Sequence, residues 1–235
     1  MTKNVLITGI TGQDGAYLAD YLLKSGYKVF GGYRRSSTVN DWRLKTLKIE
    51  DKIEFVEFDL LEFSNILRTI ERVEPIMVFN LAAQSFVSTS FEQPIITSDI
   101  NALGTIRILD AIKTINKNIK FYQASTSEMF GLAQAKVQNE NTPFYPRSPY
   151  GVSKLFAHWA AINYRESYNM FVCSGILFNH ESPLRGNEFV TKKIVSNLTK
   201  IKFGKQEKFK LGNIYSKRDW GYAKDYVEGM YKIIT

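Results

Sequence analysis

The sequence holds one cysteine and two histidines in 235 residues. A single thiol, Cys173, cannot close an internal disulfide, and the run Phe171-Val172-Cys173-Ser174-Gly175 reads as a buried strand. Two histidines, His158 and His180, and one cysteine are too few ligands to suggest a transition-metal site, so no metal is expected. Long hydrophobic runs are also missing. No apolar stretch approaches the roughly 18 residues that span a bilayer, and the N-terminus lacks the pattern of a signal peptide. With 15 glycines, 6 prolines and 44% hydrophobic residues, neither a collagen-like nor a disordered chain is expected. The expectation is a cytoplasmic globular protein. The 31 basic residues outnumber the 23 acidic ones, giving +8, which invites a nucleic-acid reading. No zinc-finger, helix-turn-helix or RNA-binding signature accompanies that charge, so neither nucleic acid nor membrane is an expected partner.

Short apolar runs alternate with helical patterns along the chain. The runs are Val5–Thr8, Lys28–Phe30, Ile53–Phe58, Ile76–Leu81, Lys120–Ala124 and Phe171–Leu177. They are nearly continuous in apolar residues, as strands covered on both faces should be. Between them, residues such as Ala16, Leu18, Ala19 and Leu22, or Ile100, Leu103, Ile106 and Leu109, recur at helical spacing. This alternation predicts an α/β fold, a Rossmann-type doubly wound parallel sheet with helices on both faces. Past residue 178 the pattern loosens into a helix over Phe189–Lys200, a strand over Lys208–Leu211 and a last helix over Ala223–Ile234. The reading is a nucleotide-binding domain over 1–178, which also carries the catalytic residues, and a partial substrate-binding region over 179–235.

Gly9, Gly12 and Gly15, in the run Gly9-Ile10-Thr11-Gly12-Gln13-Asp14-Gly15, lie between the first strand and the first helix. Glycines there let the backbone approach a pyrophosphate at the positive end of a helix. A fold that prefers NAD places an acid at the end of the second strand; here that position reads Tyr33-Arg34-Arg35-Ser36-Ser37. Arg34, Arg35 and Ser36 suit a ribose 2′-phosphate, so the expected cofactor is NADP. Asp59 and Leu60 should lie near the adenine, and Leu81, Ala82 and Ala83 beside the ribose and pyrophosphate. Tyr150 and Lys154 stand four apart on an expected helix and so share a face. An ammonium near a phenol favours the phenolate, which can act as a base toward an alcohol.

The paired Gly-x-x-Gly-x-x-Gly and Tyr-x-x-x-Lys patterns resemble the extended short-chain dehydrogenase/reductases. Longer segments narrow the resemblance to the GDP-mannose 4,6-dehydratase family: Leu81-Ala82-Ala83-Gln84-Ser85, Phe121-Tyr122-Gln123-Ala124-Ser125-Thr126-Ser127-Glu128, Thr142 to Gly151, Leu177 to Pro183 and Lys217-Arg218-Asp219-Trp220-Gly221. The resemblance implies that Tyr150 takes the proton of a sugar C4 hydroxyl while hydride leaves for the cofactor. It implies that Lys154 lowers the Tyr150 pKa, that Thr126 bonds the C4 oxygen, and that Glu128 removes the C5 proton and helps water leave from C6. It adds Gln84, Ser85, His180 and Arg185 to the cofactor contacts, and Ser85, Asn179, Lys193 and Arg218 to those of a GDP-sugar. Relatives continue beyond the pattern seen here, so the region after 179 reads as the beginning of a substrate lid. The loop from Arg35 to Arg43 resembles the segment through which family subunits reach a neighbour, implying a homotetramer or homodimer. A GDP-manno-heptose dehydratase, another epimerase or reductase of this fold, and a non-catalytic NADP-binding chain remain alternatives.

Overall fold

The structure, a computed structural model, describes residues 3–38 and 40–235. In chain order the elements are β1 (Asn4–Thr8), α1 (Gln13–Lys24), β2 (Lys28–Tyr33), α2 (Trp42–Leu47), β3 (Glu54–Glu57), α3 (Phe63–Val73) and β4 (Met77–Asn80). There follow α4 (Val87–Glu92), α5 (Pro94–Ser98), α6 (Gly104–Ile115), β5 (Lys120–Thr126), α7 (Pro149–Tyr168) and β6 (Val172–Leu177). The chain closes with β7 (Asn179–Glu181), α8 (Val190–Lys202), β8 (Trp220–Tyr222) and α9 (Ala223–Ile234). Six strands form one parallel sheet in the order β3-β2-β1-β4-β5-β6. The order reverses direction between β1 and β4, where an open α/β sheet forms a crevice outside its carboxyl ends.

Alternate residues of each central strand feed two separate cores. Val5, Ile7, Phe79 and Tyr122 point into a cluster with Ala16, Leu18 and Leu22 of α1 and Leu44 of α2. Leu6, Val78, Phe121 and Val172 point the other way, against Ile66 and Ile70 of α3, Ile108 and Ile112 of α6, and Ala161 of α7. Both faces are therefore dry, which is why the strands read as apolar runs rather than as alternating ones. Burying such side chains contributes on the order of 1.5–3 kcal/mol each.

Two features differ from the sequence reading after residue 178. Val227, Met230 and Ile234 of α9 are buried in the same cluster as α1, so α9 completes a layer of the first domain instead of standing with the substrate region. Residues 208–211 form no strand; they are mostly exposed and pair with no other strand. An isolated strand would leave its ladder groups unpaired, and water serves them better than a distant sheet. The second sheet is instead β7 paired in parallel with β8, three residues each, too short to show a period in sequence. No helix of the described residues is long and apolar enough to cross a membrane.

Candidate active site

The carboxyl ends of β1, β4 and β5 open into two adjoining clefts that share Gly9, Gly12, Leu81, Ala83 and Ser85. The first, about 510 Å³, reaches Thr126, Glu128, Tyr150 and Lys154. The second, about 490 Å³, reaches Thr11, Arg34, Asp59, Leu60, Ala82 and Gln84.

The floor between them is the glycine turn. Gly9 lies at φ +70, and a Cβ there would sit 2.8 Å from the Ala82 nitrogen. Gly12 is the N-cap of α1 and supplies no side chain, so the first amides of α1 face the cleft unpaired by a cap. That is a ready anion site. Asp14, a carboxylate on this same turn, is neutralised by His180. The His180 Nε2 meets the Asp14 carboxylate at 2.8 Å and its Nδ1 meets the Phe178 carbonyl at 2.7 Å. Both ring nitrogens face acceptors, so both carry protons. Burial works against that charge, but the Asp14 hydrogen bond and charge outweigh it and raise the His180 pKa. Burial likewise opposes the Asp14 carboxylate, and the same pair holds it below its ordinary range. His180 also stacks on Tyr226 of α9 at 4.3 Å. Gln13 joins this latch, donating to the His180 carbonyl at 3.2 Å and accepting from Ser182 at 2.7 Å.

At the other end of the cleft, Ser148 caps α7 by accepting the Gly151 amide at 3.0 Å, which fixes the turn that carries Tyr150. Thr126 caps the 3-10 turn Ser127–Met129, accepting the Glu128 amide at 3.2 Å. Lys154 is buried and donates to the Ala124 carbonyl at 3.0 Å, with its ammonium 6.0 Å from the Tyr150 ring centre. Burial lowers its pKa to about 8. Tyr150 is pushed up to about 12, mainly by burial and also by the Glu128 and Asp14 charges; the Thr126 hydrogen bond and the Arg185 charge pull the other way. In the free site, desolvation of the phenolate outweighs the influences that lower the Tyr150 pKa.

Burial makes holding Lys154 charged cost on the order of 3 kcal/mol. The unfolded chain binds that proton more tightly, so the cost is full below pH 8 and relieved as pH rises through the folded value. Lys154→Met should therefore raise the melting temperature by several degrees at pH 6–7. The gain should shrink between pH 8 and 10.5, as read by thermal denaturation across that range.

Arg34 lines the cleft, whereas Arg35 and Ser36 do not. The Arg35 Nε stands 3.9 Å from Glu57, and the Ser36 hydroxyl donates to the Thr38 carbonyl at 2.7 Å. Val39, within the loop expected to reach a neighbouring subunit, lies outside the described residues. Arg43 of that loop folds back on its own chain, donating to the carbonyls of Leu184 at 2.7 Å and Thr11 at 2.9 Å. Asn179 and Arg218 line the cleft; Lys193 stands one turn into α8 and does not. Arg185 lines it while paired with Glu181 at 3.0 Å and lying over the Phe189 ring at 3.5 Å.

Sequence reasoning missed Asn101. Its side chain accepts the Gln84 amide at 2.9 Å and donates to the Gln84 carbonyl at 3.0 Å and the Ser153 hydroxyl at 3.1 Å, tying the Leu81–Ser85 loop to the Tyr150–Lys154 helix. A π turn over Asp99–Leu103 turns Asn101 inward and leaves Leu103 46% exposed, against the helical register expected there. The available signal was a polar residue amid an apolar helical pattern.

Residues 6–235 match the family model described as GDP-mannose 4,6 dehydratase. The chain belongs to the GDP-mannose 4,6-dehydratase family. It is 51% identical over 240 residues to the GDP-mannose 4,6 dehydratase of Drosophila melanogaster, covering 99% of this chain and 61% of that protein. The Homo sapiens relative is also 51% identical, over 99% of this chain and 65% of its own length. The chain thus spans less than two thirds of these GDP-mannose 4,6-dehydratases. Among solved structures, a dTDP-glucose 4,6-dehydratase from Bacillus anthracis in complex with NAD aligns with TM-score 0.83 and 26% identity, over 99% of this chain and 71% of that one. A Thermotoga maritima UDP-glucose 4-epimerase with UDP-glucose shares the fold at TM-score 0.80, 22% identity, covering 97% of this chain and 72% of that chain.

Proposed function

We propose that the chain acts in the cytoplasm as an NADP-dependent GDP-mannose 4,6-dehydratase. The observation that carries this reading is the meeting of Glu128, Thr126 and Tyr150 in the cleft that begins at the glycine turn. A carboxylate beside the phenol and hydroxyl is what dehydration needs beyond C4 oxidation, because a C4 ketone makes the C5 proton acidic. Tyr150 would accept the C4 hydroxyl proton and Thr126 would hold the C4 oxygen. Glu128 would take the C5 proton and deliver it to the C6 hydroxyl, which leaves as water. Once hydride is returned to C6, a solvent-exchangeable proton, the equivalent of the one Tyr150 took from the C4 hydroxyl, would go back to C5. NADP supplies the hydride acceptor for C4 and the donor for C6, with no net oxidation. Lys154 would hold the nicotinamide ribose, and the cleft-lining Ser85, Asn179 and Arg218 the nucleotide sugar.

The cleft suits NADP on its own features. The uncapped start of α1 and the close backbone approach at Gly9 fit a pyrophosphate, and Arg34 with no acid at the end of β2 fits a 2′-phosphate. Arg34→Asp should weaken NADP binding on the order of 10- to 100-fold, the worth of a charged hydrogen bond, and leave NAD binding unharmed. Calorimetric titration with both nucleotides checks this. An oligomer is part of the proposal, supported by Val152, Phe156 and Trp159, a stripe on α7 that stands 54%, 45% and 55% exposed.

Incubation with GDP-mannose and NADP⁺ tests the reading, with a GDP-4-keto-6-deoxy sugar as the expected product. Inversion at C4 with the C6 hydroxyl retained would replace it with an epimerase. NADP binding without turnover would replace it with a non-catalytic chain.

A further inference from the structure

The net charge of the chain is not spread over its surface. Residues 190–218 contain eight lysines, Arg218 and a single acid, Glu207, a balance that equals the whole chain's +8 and leaves the remainder neutral. Elsewhere lysines are commonly paired: Lys24 with Asp20, Lys28 with Glu54, Lys45 with Asp41, Lys113 with Asp110 and Lys232 with Glu228. Among the described residues, no basic side chain between 190 and 218 is in an ion pair. Lys200, Lys202, Lys205, Lys208 and Lys210 are all exposed. The stretch leaves the cleft wall at Phe189 and returns to it at Arg218, both of which line the cleft. Its charge is therefore tethered to the cleft mouth at both ends.

We propose that the five exposed lysines of this stretch, Lys200, Lys202, Lys205, Lys208 and Lys210, steer nucleotides carrying a diphosphate toward the cleft, speeding their capture without contacting them once bound. The proposal rests on the reading that the cleft takes such nucleotides. Charges of one sign near a low-dielectric cleft focus the field and raise the encounter rate of an opposite charge by tenfold or more. Rim charges act on association and its salt dependence, while buried contacts govern dissociation. Screening shortens the reach to about 8 Å at physiological ionic strength, so the effect is greatest at low salt.

The test replaces Lys200, Lys202, Lys205, Lys208 and Lys210 together with glutamine and follows NADPH and GDP-mannose binding by stopped flow. At ~20 mM salt the association rate should fall about tenfold, with dissociation within about twofold of the parent and the gap closing near ~0.5 M. Lys24→Gln, at the far end of α1 from the cleft, should change neither rate. An unchanged association rate and salt slope would overturn the proposal, as would an effect confined to dissociation, which would make these lysines binding contacts. If only NADPH binds, the assignment of GDP-mannose falls and the NADPH rates still decide the steering. If neither nucleotide binds, both fall.

Discussion

A Glu128→Gln chain should bind NADP and GDP-mannose as the parent does and yield no dehydrated sugar, a loss of about 10²–10⁴-fold or more in turnover. The substitution keeps the shape of the side chain and removes its ability to take a proton. It should leave the fold alone, because the backbone at 128 is held by other groups. The Thr126 hydroxyl accepts the Glu128 amide at 3.2 Å, and Gly151 packs so closely that a Cβ there would lie 2.7 Å from the Glu128 carbonyl. The half-buried carboxylate itself accepts no described hydrogen bond that the fold depends on, so the melting temperature should shift little. Removing its charge also removes one of the influences that hold the Tyr150 phenol high, so C4 chemistry is not hindered. The decisive measurement is exchange of the C5 proton with deuterated solvent. It should accompany turnover in the parent and vanish in the variant. Dehydration at the parental rate by Glu128→Gln would sink the role given to that carboxylate.

Much of this site was legible because its parts are local. The glycine turn, the start of α1 and the Tyr150–Lys154 face each lie within one turn of a strand or helix, where spacing dictates geometry. The six strands were legible for a related reason: burial on both faces leaves an apolar run that no surface strand shows. What the sequence hid was long-range. His180 meets Asp14 across 166 positions, and nothing in either neighbourhood names the other. Arg34, Arg35 and Ser36 read as one clamp, yet only Arg34 reaches the cleft: Arg35 turns toward Glu57, and the Ser36 hydroxyl is spent on the Thr38 carbonyl. The π turn at Asp99–Leu103 is a register shift of one residue, invisible to a pattern that assumes 3.6 residues per turn. Lys208–Leu211 had strand-like composition but no neighbour to pair with, and pairing decides a strand.

Two glycine-to-alanine changes should have opposite signs, and their contrast isolates the backbone approach on which cofactor binding depends. At Gly15 a Cβ would stand 2.4 Å from the Gly9 carbonyl oxygen and 2.8 Å from the Ile10 Cα. Neither obstacle is a side chain that can swing aside. Gly9 cannot retreat, since it is itself at φ +70 and closely packed on Ala82. The helix α1 must therefore move off the turn, at a cost of about 1–3 kcal/mol. That movement withdraws the uncapped amides of Gln13, Asp14 and Gly15 from the cleft and strains the Asp14–His180 pair that ties α1 to β7. NADPH binding, followed by its fluorescence, should be lost to below detection in Gly15→Ala even at temperatures where the chain stays folded. Gly229, inside α9, has nothing within 4 Å of an added Cβ. Alanine there lowers the entropy of the unfolded chain at no steric cost and should stabilise by about 0.4–1 kcal/mol in denaturant titration. It should leave NADPH binding unchanged. A Gly15→Ala chain that bound NADPH within threefold of the parent would show that the close contact at the turn is not what presents the helix to the phosphates.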